Sequence, residues 1–148
     1  MFRVLIITSI FFQFGCTQNV ETNFKKIIST DSAPASIGVY SQGIQVGNTV
    51  YVSGQIGLIP ETREMAGDDL ESQTRQAIRN IEAILREAEF SLTDIVSANV
   101  YLSDLDNYQA FNEIYVEYFP VNPPSRAVVE VSRIPLDALV EIKVIAAK

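Results

Sequence analysis

The chain has 148 residues, of which 47% are hydrophobic and 20% charged, the size and balance of one globular domain. A formal net charge of −7, with Lys25-Lys26 the one adjacent basic pair, argues against a nucleic-acid surface, which needs clustered cations. The absence of His excludes Ser-His-Asp and Cys-His machinery, the single Cys16 excludes an intrachain disulfide or cysteine metal cluster, and no Asp-x-Asp-x-Asp-Gly loop offers a carboxylate metal site.

At the N-terminus, Arg3 precedes an apolar run from Val4 to Phe14, too short to cross a bilayer as a mature helix and suited to the core of a secretory signal. Gly15-Cys16 closes the run as a lipoprotein-type cleavage site does, although Gln13 stands where such sites usually carry Leu. The expectation is a signal peptide over 1–15, Cys16 as the lipidated first residue, a polar tether over 16–25 and a domain over 26–148. Export to the periplasm or cell envelope follows, with the lipid as the only membrane contact.

Within the domain, Lys26 to Ser29 reads as a short strand and Ser32 to Gly38 as a loop. Ile44-Gln45-Val46, Gly47-Asn48 and Thr49 to Ser53 predict a hairpin with a two-residue turn that accepts positive φ. Asp68-Asp69-Leu70-Glu71 predicts a capped helix start, and Leu70, Ala77, Ile78, Ile81, Ile84, Leu85 and Ala88 share its apolar face as far as about Glu89. Asp94 to Leu102 alternates as a strand, with Val96, Ala98, Val100 and Leu102 on one side. Asp106 opens a second helix whose apolar face carries Phe111, Ile114, Tyr115, Tyr118 and Phe119, and Pro120 ends it. Arg126 to Val131 and Ala138 to Ala147 are the last strands, so the order is ββαβαββ with one more strand at the start. Two helices cover one face of such a sheet, yet the strands are apolar on both faces, which predicts a symmetric oligomer packing sheet against sheet.

Four positions stand out chemically. Arg126 follows Pro123-Pro124-Ser125 and can fork onto a carboxylate, or it is an ion-paired surface residue. Glu141, in an otherwise apolar strand, can act as a general base on water, or it is a solvated position beside Lys143. Tyr40 follows a flexible loop and can donate a hydrogen bond or simply pack. Ser53-Gly54 lets a ligand approach the backbone or marks a strand bulge.

In chain order, Ala33-Pro34-Ala35-Ser36-Ile37-Gly38-Val39-Tyr40-Ser41-Gln42-Gly43, Val52 to Ile56, Asp94-Ile95-Val96, Tyr108 to Tyr115, Pro124 to Val131 and Val140 to Ala146 together resemble the RidA (YjgF-type) reactive intermediate deaminase family, from about Ile28 to the C-terminus. The resemblance implies a chorismate-mutase-like α+β fold: a mixed sheet with two helices on one face. It also implies a homotrimer whose sheets form a central barrel with a ligand cleft between subunits. Active relatives hydrolyse enamines and imines, such as 2-aminoacrylate released by pyridoxal-phosphate enzymes, to 2-keto acids and ammonia without a cofactor. Carried over, Arg126 holds the substrate carboxylate and Glu141 positions or activates water. Tyr40, Ser53, the Gly54 backbone and Asn112 line the cleft. The chain departs from the family pattern at Val39, usually Pro, at Val128, often Cys, and at Glu89-Phe90, where a Gly often ends the first helix. The alternatives are a non-catalytic small-carboxylate-binding envelope protein of the same fold, and a nuclease, which the acidic balance and missing His disfavour.

Overall fold

A computed structural model describes residues 25–148. The expected signal peptide 1–15, lipid site Cys16 and all but the last residue of the tether 16–25 lie outside the described residues. The elements are β1 (Lys26–Ile28), β2 (Gly43–Val46), β3 (Thr49–Gln55), α1 (Leu70–Glu87), β4 (Ile95–Leu102), α2 (Tyr108–Tyr118), β5 (Ser125–Glu130) and β6 (Val140–Ala147). They form one six-stranded sheet in the order β1-β2-β3-β6-β4-β5. Only β4 and β5 run parallel, and α2 makes the long crossover that a parallel pair requires.

Both helices lie on one face, the α+β arrangement expected. The register puts Val50, Val52, Ala98, Val100, Leu102, Val140, Ile142, Val144 and Ala146 on the same side, and all are buried. Against them pack Ala77, Ile78, Ile81, Ile84 and Leu85 of α1 and Phe111 and Tyr115 of α2. Arg75 of α1, paired with Glu71 of the same helix at 2.8 Å, ties α1 to α2 through Glu117 at 2.8 Å. Among the described residues no helix lies on the opposite face. Ile27, Ile44, Tyr51 and Ile145 are register partners in one row across it, with Ile27 63% and Tyr51 46% exposed. An apolar row of that kind is costly to leave in water.

Local details refine three expectations. The cap of α1 is Asp69, one residue later than predicted: its carboxylate accepts from the Ser72 backbone N–H at 2.8 Å and from the Ser72 hydroxyl at 2.7 Å. The approach to α2 begins earlier than predicted, in a 3-10 turn at Leu105–Asn107 where Asp104 accepts from the Asp106 N–H at 2.8 Å. On β4, the register slips between Ile95 and Ser97, so Ile95 is buried and Val96 is exposed, against the simple alternation.

Candidate active site

Glu141 is the second residue of β6 and pairs with Tyr101, which puts its side chain on the open face of the sheet. Across from it, β3 carries one extra residue: Val52 pairs with Val144 and Gln55 with Ile142, so Ser53-Gly54 bulges. The bulge turns the Gly54 backbone toward the carboxylate. A Cβ on Gly54 would fall 1.8 Å from Glu141 Oε1, so no side chain fits there without displacing the acid.

The rest of this cleft is held by a loop. The Gln42 amide donates to the carbonyls of Thr30, Ala33 and Pro34, and its Oε1 accepts from the Thr30 N–H at 2.7 Å. The Ser53 hydroxyl donates to Ser41 O at 2.7 Å and its N–H to Gln42 O at 2.9 Å. Tyr40, at the loop's end, accepts from the Ile37 N–H at 3.4 Å. Tyr40, Ser53, Gly54 and Glu141 thus line one cavity of about 380 Å³. Burial pushes the Glu141 carboxyl pKa above its ordinary value. No Lys or Arg among the described residues lies within 4.0 Å of it.

Arg126 occupies different surroundings. Its register partner is Ala98, a core-facing residue, so its side chain lies on the helix side of the edge strand β5. The guanidinium carbon stands 4.5 Å from the Tyr115 ring centre and 5.5 Å from that of Phe111, and one terminal nitrogen donates to Asn112 Oδ1 at 2.6 Å. No carboxylate among the described residues pairs with it. A cation fixed by π faces and one amide, with its remaining N–H groups unneutralised, has the chemistry to fork onto an anionic group. Tyr115 is buried, its hydroxyl has no hydrogen-bond partner among the described residues, and burial pushes its pKa up to about 12 while Arg126 pulls it the other way.

The expected site residues therefore fall into two groups. Tyr40, Ser53, Gly54 and Glu141 share the cleft; Asn112 and Arg126 touch each other. One chain does not bring the groups together. Two strand spacings and three residues of rise separate the backbones by roughly 14 Å, and the side chains leave opposite faces of the sheet. Two further contributors escaped the sequence reading, Pro135 and, beneath Arg126, Tyr115, while Gln55 of the Ser53-Gly54-Gln55 stretch also lines the cleft. Gln55 adjoins the Gly of the bulge, which is a usable signal. Tyr115 reads only as a core residue of α2, because its position beneath Arg126 depends on strand register.

Residues 30–148 match the family model described as Endoribonuclease L-PSP. The chain is 52% identical to a RutC family protein of Saccharolobus solfataricus over 124 residues, 84% of this chain and 98% of that one. It is 40% identical to the 2-iminobutanoate/2-iminopropanoate deaminase of Rattus norvegicus over 122 residues, 82% of this chain and 89% of that one. The crystal structure of E. coli TdcF with bound serine superposes with a TM-score of 0.80 at 38% identity, covering 83% of this chain and 98% of that one.

These matches correct the expectation of export to the periplasm or envelope. A RutC family relative of which 98% is already matched has no room for a counterpart of a leader, so the proteins that carry the similarity speak against an exported location. Neither that location nor a lipid anchor at Cys16 is retained. The family model covers the described fold from β2 to β6, and the chain belongs to the RidA (YjgF-type) family, whose model is the one described as Endoribonuclease L-PSP.

Proposed function

We propose that the protein hydrolyses small carboxylate-bearing imines and enamines to 2-keto acids and ammonia, in clefts shared between neighbouring copies of a homotrimer. The observation that carries this reading is Arg126: an oriented cation without a carboxylate partner among the described residues, in a chain of net charge −7 that has acids to spare for neutralising it. The relative from Rattus norvegicus is named for the reaction, and TdcF holds an amino acid, a ligand with a carboxylate. Packing the open faces of three sheets into a barrel would cover the Ile27–Ile44–Tyr51–Ile145 row. In the proposed assembly the edge strand β5 of one copy faces the Glu141 cleft of the next.

The chemistry then needs no cofactor. The enamine tautomerises to the imine, and Arg126 of one copy fixes the substrate carboxylate. Glu141 of its neighbour takes a proton from water as the water oxygen bonds to the C=N carbon, and the nitrogen acquires a proton. The carbinolamine collapses: its hydroxyl proton passes to the nitrogen, the C–N bond breaks, ammonia leaves, and the carbon keeps the oxygen as a carbonyl. Burial supports the role of Glu141, since a raised pKa makes it a better base once ionised. The acidic surface offers no cation cluster for a phosphodiester chain, so hydrolysis of RNA is not favoured.

Subunit mixing tests this reading. Arg126→Ala and Glu141→Gln are each expected to lose at least about a hundredfold in the hydrolysis of 2-iminobutanoate generated in situ. After the two are unfolded together and refolded as mixed oligomers, about a quarter of the clefts combine an intact Arg126 with an intact Glu141, so about a quarter of wild-type activity returns. No recovery from mixed oligomers would place both residues in one chain's site. Tight binding of the imine's keto-acid product with no turnover by wild type would replace catalysis by carboxylate binding.

A further inference from the structure

Glu141 sits where β6 is held from one flank only. The pairing of β3 with β6 ends at Gln55 and Ile142, so Val140 and Glu141 pair with β4 alone, through Leu102 and Tyr101. The chain is fixed again just before the strand, at Leu139. The Leu139 carbonyl accepts from the Ser103 N–H at 3.1 Å, and the Leu139 N–H donates to Gln73 Oε1 at 2.8 Å. Gln73 belongs to α1 and is 4% exposed; it lies on the helix side of the sheet, away from the face that a neighbouring copy covers in the proposed assembly. The other end of its amide holds the connection that leaves β3, Nε2 donating to Gly67 O at 2.9 Å. That connection is folded back on itself, the Ala66 N–H donating to Gly57 O at 2.8 Å. Gly57 in turn lies so close to α1 that a Cβ would fall 2.5 Å from Gln73 Cα. One buried amide thus ties the exit of β3 to the entry of β6, the two strands that meet at Gly54 and Glu141.

We infer that Gln73 is a positioning residue for Glu141, which acts through the Leu139 N–H to fix where β6 enters the sheet and so where the carboxylate stands against Gly54. The catalytic consequence rests on the deaminase reading above. The entry of a strand sets the alternation of the side chains that follow it, and a base displaced by about 1 Å from its water loses roughly a hundredfold in rate. An amide suits the place because its two ends do different work, the oxygen accepting from Leu139 and the nitrogen donating to Gly67. A carboxylate keeps the first contact and loses the second; a thioether, a weak acceptor, replaces neither.

The test compares Gln73→Met with Gln73→Glu. Both are expected to melt lower than wild type, the first through two orphaned backbone groups and the second through a buried acid. Their kinetics should part. On 2-iminobutanoate generated in situ, Gln73→Met is expected to lose about tenfold to a hundredfold in kcat with KM within about threefold, and Gln73→Glu to stay within about threefold of the wild-type kcat. A second readout needs no turnover: titration of the Glu141 carboxyl followed by carbon NMR. Burial holds that carboxyl above its ordinary value of 4.5, so a loosened strand entry in Gln73→Met should let water in and bring the midpoint down toward 4.5, while Gln73→Glu keeps it raised. The ionisable groups around Glu141 are Tyr40 of the loop, Tyr101 opposite on β4, Lys143 two places along β6 and, in the proposed assembly, Arg126 of the neighbouring copy; neither variant changes them. Wild-type kcat in Gln73→Met, equal kcat losses in the two variants, or a kcat loss in Gln73→Met with the Glu141 titration unmoved would overturn the inference. If Gln73→Glu does not fold, the kcat and the titration of Gln73→Met decide. Failure of wild type to accelerate the reaction would overturn the deaminase reading, and the titration would still decide whether Gln73 positions Glu141.

Discussion

The cleft at Glu141 is concave, walled by apolar residues anchored to α1 and closed against the Gly54 backbone. The site at Arg126 is an edge-strand surface in which a guanidinium lies over two aromatic rings. The two charges are handled in opposite ways. A carboxyl responds to burial by shifting its pKa upward, which makes it basic when ionised; a guanidinium does not deprotonate, so it is held by π faces and an amide oxygen. Keeping them apart within one chain matters: a guanidinium at ion-pair distance would lower the Glu141 pKa rather than leave it raised. In the proposed reaction the substrate's carboxylate would neutralise Arg126 and leave Glu141 basic.

Glu141→Gln gives the largest expected effect, a loss in kcat of about 10²–10⁴ with little change in KM. The wild-type rate is expected to fall as pH drops through the raised Glu141 pKa, and the residual rate of the Gln variant to be flat there. Stability should move the other way. Because the folded pKa lies above the ordinary 4.5, Glu141 supports folding fully below that value and loses this contribution as pH rises through the folded pKa. The Gln variant should therefore melt higher than wild type at neutral pH, with the difference vanishing below pH 4.5. Equal melting temperatures at every pH would mean that Glu141 is as well solvated as an ordinary surface acid.

On the Arg126 side the effect is smaller and falls on binding. Tyr115→Leu removes the ring beneath the guanidinium, an interaction worth about 0.5–2 kcal/mol, so KM should rise about tenfold with kcat nearly kept. Tyr115→Phe keeps the ring and removes a buried hydroxyl that has no partner among the described residues. It should retain activity and gain about 1 kcal/mol in denaturant unfolding. A loss of kcat equal to that of Glu141→Gln in the Phe variant would give Tyr115 a role in proton transfer and break the division of labour between the two regions.

How much of this was legible in the sequence follows from the range of the signal. Period-2 and 3.6-residue patterns are local, and they identified the hairpin, with Gly47 at φ 55°, and the buried face of α1. They identified Arg126 and Glu141 as residues out of keeping with their strands. Alternation also shows that a strand has two faces. Which faces of different strands coincide is set by pairing, here Ala98 with Arg126 and Tyr101 with Glu141, and those partners lie tens of residues apart. Local patterns therefore did not show which residues fall in which of the two regions, although the family resemblance implied a cleft between subunits, and they did not show the stacking of Tyr115 under Arg126. The exposed Val96 escaped for a related reason, since a one-residue bulge inverts the alternation without any composition signal of its own.

The smallest effect serves to separate stability from chemistry. Helix α1 ends in a Schellman motif: the Phe90 N–H donates to Leu85 O at 2.8 Å and the Glu89 N–H to Arg86 O at 2.9 Å. Glu89 sits at the position that favours Gly, with φ 63°, and it also places a negative charge at the negative end of the helix dipole. It lines neither the Glu141 cleft nor the Arg126 surface. Relief of the left-handed strain by Glu89→Gly, offset in part by a more flexible unfolded chain, should stabilise by about 0.5–1 kcal/mol, a few degrees in melting temperature. Glu89→Gln removes the charge and keeps the strain, so its gain should be only a few tenths of a kcal/mol. With either change added to Glu141→Gln or Tyr115→Leu, melting temperatures should rise while the kinetic defects stay as they were. Recovery of activity in the stabilised double variants would show that those defects came from a weakened fold rather than from the two charges.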